Sequence, residues 1–473
     1  MKKRILFILP VAVIAALIFM QLFFPQAAGL ANNGDFGKVI ARSHFVSADN
    51  NGADNFVYFV KDYRYDPSFQ YEAGLKSTEQ QIFWLSSTIA RLFLGGRLDI
   101  RLHGFIHLSL ICVGLFFGMR AILRLTPQLQ IVISIWTVLV LGDIAYTAYI
   151  NSFYMDAAAL AGAILCLGTG ADLALRRTSG MLSLIVFGLG FALLVGSKSQ
   201  HAPLAAPLGI FCFLAAKAQA SAKFRLLSGL MVLAGFAIAG FTLTSVPFDY
   251  PAKATFNTIF LKILPMSTDP AADLPSLGLS PDYLQYVGMH AFVAGGPCDD
   301  GVWLNAFARR TGPTEVAAFW VRNPTRFLRA VHGDIVNFLP ELRPKNLSNV
   351  ERSAGLPPGS KLPSWTGWST VKAYVLERFP ALIYFVLGGA LLVGCRRWRR
   401  PSGVSSPLHL STAILLVLAA ACMELCISAG FDAIETNRHF LLFHLFFDIL
   451  VLMLIAAGIR RSERPAIQPS LQK

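Results

Sequence analysis

The feature that most limits what this chain can fold into is a series of ten apolar runs, at about residues 7–24, 102–122, 129–149, 157–175, 181–195, 203–216, 226–246, 379–395, 408–431 and 440–459. A bilayer core of about 30 Å needs roughly 20 apolar residues in a helix, and most of these runs reach or approach that length. The runs at 181–195 and 203–216 are short of the ~17 residues usually required and are expected to borrow flanking residues. In hydrocarbon every backbone N–H and C=O has to be satisfied within its own segment, so runs of this kind predict helices. The expected fold class is an all-α polytopic membrane protein, a bundle of about ten transmembrane helices. With 55% hydrophobic and 14% charged residues, the apolar material exceeds what one soluble core could hide.

A net charge of +14 would suit nucleic acid, but the basic residues sit in short clusters at the ends of apolar runs, so no nucleic-acid partner is expected. These clusters are Lys2, Lys3 and Arg4; Arg120 and Arg124; Arg176 and Arg177; Lys217, Lys223 and Arg225; Arg396, Arg397, Arg399 and Arg400; and Arg460, Arg461 and Arg464. If ten spans alternate, all fall on one side, which the positive-inside rule assigns to the cytoplasm together with both termini. The first run is followed by Pro25-Gln26-Ala27-Ala28-Gly29, whose small residues suit a signal peptidase, but its length and the many later spans favour a retained anchor. Of seven cysteines only Cys298 lies in a long polar stretch, so neither an intrachain disulfide nor a cysteine metal site is expected.

The spans divide the chain into an N-terminal bundle (1–246), a large extracytoplasmic loop (247–378) and C-terminal helices with a short tail (379–473). A first extracytoplasmic loop (about 25–101) lies within the bundle. In that loop residues 81–94 show helical apolar spacing with Arg91 among them, as in a helix lying on the membrane surface. In the second, residues 314–339 repeat the pattern, with Arg322, Arg326 and Arg329 on a polar face and Pro324 interrupting it. There is no tandem repeat.

Four polar stretches on the extracytoplasmic side carry residues suited to chemistry. Asn33-Gly34-Asp35-Phe36-Gly37-Lys38 follows the first span; by residue type it is a turn with a helix cap, and by position a carboxylate within reach of a lipid head group. Asn151, Tyr154 and Asp156 lie in the short connection before the fourth span, where an interfacial aromatic belt is the alternative reading. Lys198, Gln200 and His201 follow the fifth, and Arg438 and His439 precede the last. Lys198 and Arg438 both run against the positive-inside bias, which suggests an anionic ligand. His444 and Asp448 share one face of the last span, as a functional pair or a structural one. An ordinary aspartate, with a pKa of ~3.9, is ionised at neutral pH, so Asp35 is suited to accept a proton from a hydroxyl while Lys198 and Arg438 stabilise a departing phosphate.

In these stretches, and in Leu264-Pro265-Met266-Ser267, Leu277-Gly278-Leu279 and Phe447-Asp448, the chain resembles the polytopic GT-C glycosyltransferases, specifically surface-glycan hexose transferases of the WsfD type. The resemblance runs over nearly the whole chain. It implies transfer of a hexose from a polyprenyl-phosphate donor to a glycan or lipid-linked acceptor, at the outer face of the bacterial cytoplasmic membrane. It implies Asp35 as catalytic base; charge and side, with the resemblance in support, make Lys198 and Arg438 the expected phosphate contacts, and Asn33, Lys38, Asn151, Tyr154, Asp156, Gln200, His201 and His439 are expected as further substrate-binding residues. Many such enzymes pair two acidic residues in the first loop, whereas Gly34 stands beside Asp35 here. A divalent cation, magnesium or manganese, is thereby left open as a cofactor.

Two other classes compete. A flippase or transporter of lipid-linked oligosaccharide would use intramembrane carboxylates such as Glu424 and Asp448, although the internal repeats common in transporters are absent. An O-antigen-type polymerase or ligase would use loop residues such as His290, Arg322, Arg326, Arg329 and His332.

Overall fold

A computed structural model describes residues 2–48, 52–69, 74–175, 180–362, 365–398 and 410–462. Of the basic clusters that set the expected topology, Arg176, Arg177, Arg399, Arg400 and Arg464 lie outside the described residues.

The chain is an all-α polytopic membrane protein. Among the described residues, six helices are long and apolar enough to cross a bilayer: Ile100–Ile122, Met155–Leu175, Ser199–Lys217, Ala222–Thr244, Leu410–Phe431 and Leu441–Ile459. Two bent pairs, Pro127–Leu141 with Ile144–Asn151 at 57° and Gly367–Arg378 with Leu382–Arg396 at 98°, are each a broken span or a re-entrant segment. Ile8–Leu22 and Met181–Val195 are shorter apolar helices. Each of the ten runs thus becomes helical, but fewer are straight crossings than run length suggests. The third run breaks at Asp143, whose carboxylate caps the next short helix by accepting from the Ala145 N–H at 2.9 Å. The eighth run is joined to the preceding helix through a turn at Pro380, which cannot continue one.

Neighbouring helices approach through glycine, as expected where lipid supplies no hydrophobic drive to association. A Cβ on Gly168 would lie 1.9 Å from the Gly114 carbonyl oxygen, and one on Gly162 would lie 2.8 Å from that of Gly190. Ile100–Ile122, Met155–Leu175 and Met181–Val195 are thereby packed backbone against backbone.

The first long connection contains three short strands, β1 (Phe45–Ser47), β2 (Asp62–Tyr65) and β3 (Arg97–Asp99), in an antiparallel sheet of order β1-β2-β3 that the hydropathy pattern did not disclose. Its helix Thr78–Phe93 starts one turn earlier than the apolar pattern, because Ser77 caps it by accepting from Gln80 N–H. Trp84, Leu92 and Phe93 are 65, 70 and 76% exposed, an apolar outer face suited to a membrane surface. In the second long connection the expected helix is two, Pro313–Arg322 and Pro324–Asn337, divided at Pro324. The earlier part of that connection has its own core around Phe256, Phe260 and Phe307, while Leu339, Leu347 and Leu376 join the main one. The two connections are laced together: Ala31 N–H donates to Ser348 O at 2.9 Å and Phe59 N–H to Val350 O at 2.7 Å.

The His444–Asp448 pair does not form. Asp448 instead accepts from Lys372 Nζ at 2.8 Å, Tyr146 Oη at 2.6 Å and Trp368 Nε1 at 2.9 Å, since a buried carboxylate is better satisfied by an ammonium than by a ring of its own helix. This contact holds Gly367–Arg378 against the last span.

Replacing Gly168 by valine is expected to destabilise the bundle by about 1–3 kcal/mol through overpacking, whereas Gly240→Ala, with nothing within 4 Å of its Cβ, leaves stability unchanged. Thermal unfolding of both variants in detergent checks this.

Candidate functional site

The polar stretches that follow the first, third and fifth apolar runs and precede the last converge at the end of the bundle that bears the two long connections. Arg438 is their common centre. Its guanidinium donates to Asp35 Oδ2 at 2.9 Å, Glu435 Oε2 lies 3.0 Å away, and Asp156 Oδ2 lies at 3.4 Å. The guanidinium carbon lies 4.5 Å from the centroid of the Tyr154 ring. The side chain is only 5% exposed, so the charge is held almost wholly by protein groups.

Local sequence explains each placement. Asn32 accepts from the N–H groups of Gly34 and Phe36, and Gly34 adopts φ +100°, which favours glycine; the turn so formed leads to Asp35. Asp156 lies in the first helical turn of Met155–Leu175, where a carboxylate is favoured by the helix dipole. Glu435 has φ +55°, an uncommon conformation for a side-chain-bearing residue, and this directs its carboxylate to Arg438, Asn33 Nδ2 (2.6 Å) and Asn346 Nδ2 (2.7 Å).

Lys198 differs from the other cations. Its Nζ is buried and has no hydrogen-bond partner among the described residues; the Asp156 Oδ1 atom, at 3.9 Å, is the facing carboxylate. His201 Nε2 lies 3.9 Å from the same oxygen, while His201 Nδ1 is 2.9 Å from Glu424 Oε1. Burial lowers the affinity of the Lys198 amine for its proton, and Asp156 partly restores it. His439 Nδ1 lies against Asp432 Oδ2.

Burial raises the affinity of Asp35 for a proton, but Arg438 and then Lys38, whose Nζ lies 2.5 Å from Oδ1, outweigh it and hold the carboxyl well below its usual range. Lys38 also lies 4.4 Å from the centroid of the Tyr250 ring. The carboxylates of Asp35, Asp156 and Glu435 converge on a guanidinium, and a divalent ion there would have to displace it.

Of the residues expected here, Asp35, Asn33, Lys38, Asp156, Lys198, His201, Arg438 and His439 come together. Asn151 does not join them: its amide donates to Leu22 O and Ala28 O, both at 2.8 Å, and ties the first span to its loop. Gln200 is committed to Glu424, Ser428 Oγ and His439 O at 3.0–3.1 Å, so it orients the cluster. Tyr154 donates to Ala31 O at 2.8 Å and supports Arg438 with its ring. Asp432, Glu435, Glu424 and Tyr250 are additions. Glu424 was visible as the one acidic residue inside its apolar run, and Glu435 as a neighbour of Arg438; Asp432 and Tyr250 carried no local signal. Two of the expected loop residues are engaged elsewhere: Arg326 makes a two-pronged pair with Asp273 at 2.8 and 2.9 Å, and His332 Nδ1 lies 2.9 Å from Tyr384 Oη.

The fold and this cluster define a polytopic membrane protein whose long connections cover a mostly buried, charge-lined site at one end of its bundle. The sequence matches the family described as the YfdI N-terminal transmembrane domain over residues 1–470, and the chain belongs to that family. The narrower WsfD-type grouping has no counterpart in this match. No curated protein and no solved structure matches the chain.

Because the pKa of Asp35 is lowered on folding, its ion pairs stabilise the protein fully above the unfolded pKa of ~3.9 and are lost as pH falls below it. The difference in unfolding temperature between wild type and Asp35→Asn is therefore expected to be constant from about pH 8 to pH 5 and to shrink below about pH 4. Unfolding curves in detergent across that range test it.

Proposed function

We propose that this protein is a GT-C-type glycosyltransferase that moves a hexose from a polyprenyl-phosphate donor to a surface glycan, glycolipid or lipid-linked oligosaccharide. The site end would face outward from the bacterial cytoplasmic membrane, with both termini on the cytoplasmic side. The observation that carries the proposal is Lys198: a buried ammonium without a hydrogen-bond partner among the described residues, beside Arg438 and close to carboxylates, suits a ligand that brings its own anion. A lipid ligand also needs room for its chain. An apolar cavity of about 1450 Å³ between the helices is lined by Leu194 and Leu204, which bracket the Lys198–His201 segment, and by Leu445 of the last span. It continues to Leu125, in the turn after Ile100–Ile122, and to Leu129, in the first turn of Pro127–Leu141, at the end of the bundle away from the site.

The chemistry follows from these groups. When the donor phosphate engages Lys198 and Arg438, the guanidinium shares its hydrogen bonds with the phosphate and its hold on Asp35 loosens. Asp35 then accepts the proton of the acceptor hydroxyl as that oxygen bonds to the anomeric carbon. The carbon–oxygen bond to the phosphate breaks, configuration inverts, and the bond's electron pair leaves with polyprenyl phosphate, whose charge the two cations stabilise. Water exclusion by the laced loops strengthens these interactions.

The competing classes have less support. Glu424 and Asp448 are both engaged by buried partners, and Arg326 is paired within the loop, which leaves little for a transport or polymerase mechanism built on them.

Membranes bearing wild type are expected to transfer label from polyprenyl-phosphate sugars to an acceptor fraction, and equally abundant Asp35→Asn is expected to fail. Lys198→Met is expected to lower turnover about 10²–10³-fold, as for loss of one charge-stabilising donor. Equal transfer by Asp35→Asn would reduce Asp35 to a turn residue and direct attention to Asp156. Passage of lipid-linked oligosaccharide across the bilayer without transfer would make the protein a transporter.

A further inference from the structure

A second polar cluster lies apart from the Arg438 network, sealed between the surface helix and the bundle. Glu79 enters from the first turn of Thr78–Phe93, and His103 and His107 come from one face of Ile100–Ile122, four residues apart. All three side chains are fully buried, and one ligand atom from each lies within 4.8 Å of the others. His103 Nε2 is 2.6 Å from Glu79 Oε1 and His107 Nε2 is 3.0 Å from Oε2.

The contacts behind the rings decide which nitrogens carry hydrogen. His107 Nδ1 lies 3.2 Å from the backbone oxygen of His103, a group that only accepts, so Nδ1 is the N–H. His103 Nδ1 lies 3.2 Å from Ser86 Oγ, whose hydroxyl donates to Phe83 O at 2.9 Å, so here too Nδ1 carries the hydrogen. Each Nε2 faces one oxygen of the Glu79 carboxylate, which also accepts the Ala158 N–H at 2.9 Å; without a metal a proton is shared across each contact, and when those protons leave both Nε2 atoms offer their lone pairs. Three electron-pair donors facing one another, backed by hydrogen bonds that fix the ring tautomers, form the arrangement of a transition-metal site with its supporting shell.

We propose that Glu79, His103 and His107 bind one divalent transition-metal ion of the zinc class, through the two Nε2 atoms and the Glu79 carboxylate. Imidazole with a single carboxylate selects such an ion over magnesium or calcium. Tetrahedral ligands at 2.0–2.1 Å stand about 3.3 Å apart, so the contacts of 2.6 and 3.0 Å open slightly on loading. The ion would clamp the surface helix to the bundle, and Ala158 places the clamp two residues along the helix from Asp156.

The test is metal content and spectrum in the purified full-length protein. After equilibration with zinc and removal of excess, wild type is expected to hold about one zinc per chain; His107→Gln, which keeps hydrogen bonding but cannot replace the imidazole ligand, is expected to hold less than about a tenth of that. Asp35→Asn is expected to keep its zinc, which separates this site from the Arg438 cluster. Cobalt loaded into wild type is expected to give the visible absorption of a low-symmetry four-coordinate ion, a readout that needs no variant to fold. Wild type without stoichiometric zinc, equal zinc in His107→Gln, or cobalt showing only the spectrum of the hydrated ion would each overturn the proposal and leave three side chains joined by protons alone.

Discussion

The rest of this structure depends on one buried guanidinium. Arg438 is almost fully withdrawn from water, and a charge in that position is tolerated only where partners replace its hydration. Its partners come from distant parts of the chain: Asp35 from the first loop, Tyr154 and Asp156 from the entry to the fourth apolar run, and Glu435 from the connection before the last span. Satisfying that one charge draws these connections to a common point. The excess of carboxylates around Arg438 is in turn what makes room for Lys198 as a second, less committed cation.

Placing such a network at the end of a membrane bundle requires a firm base. Glycine contacts supply it between the helices, and the Lys372–Asp448 contact ties the bent Gly367–Arg378 segment to the last span. The loops add a cover rather than a separate body, because the segment around Ser348 and Val350 bonds back to the first loop. Rigid helices below and laced loops above hold the charged groups in register, as a preorganised site requires.

Much of this was legible in the sequence, for definite reasons. Apolar runs report helices because lipid leaves the backbone no alternative, and all ten became helical. Lys198 and Arg438 were conspicuous because the ten-span topology expected from the sequence puts them on the side that should be poor in cations, and the structure brings both to Asp156. Asn151 stands apart from the cluster because an amide in a short connection can also staple a backbone, and only the approach of Leu22 and Ala28, which its Nδ2 bonds, reveals that role. The His444–Asp448 pairing failed because helical spacing cannot foresee Lys372, more than seventy residues earlier in the chain. The three strands are too short to show a two-residue alternation, and the Glu79 cluster joins residues from two helices whose contact no local pattern records.

The most direct test of the central claim, that the Arg438 cluster and the apolar cavity together hold one lipid phosphate, is site mapping with a photoreactive polyprenyl phosphate in native-like membranes. The expected result is label on cavity residues such as Leu204 and Leu445, reduced in Lys198→Met and competed by unlabelled polyprenyl phosphate. Label confined to outward-facing residues such as Leu233 and Phe236, with no dependence on Lys198, would contradict the account.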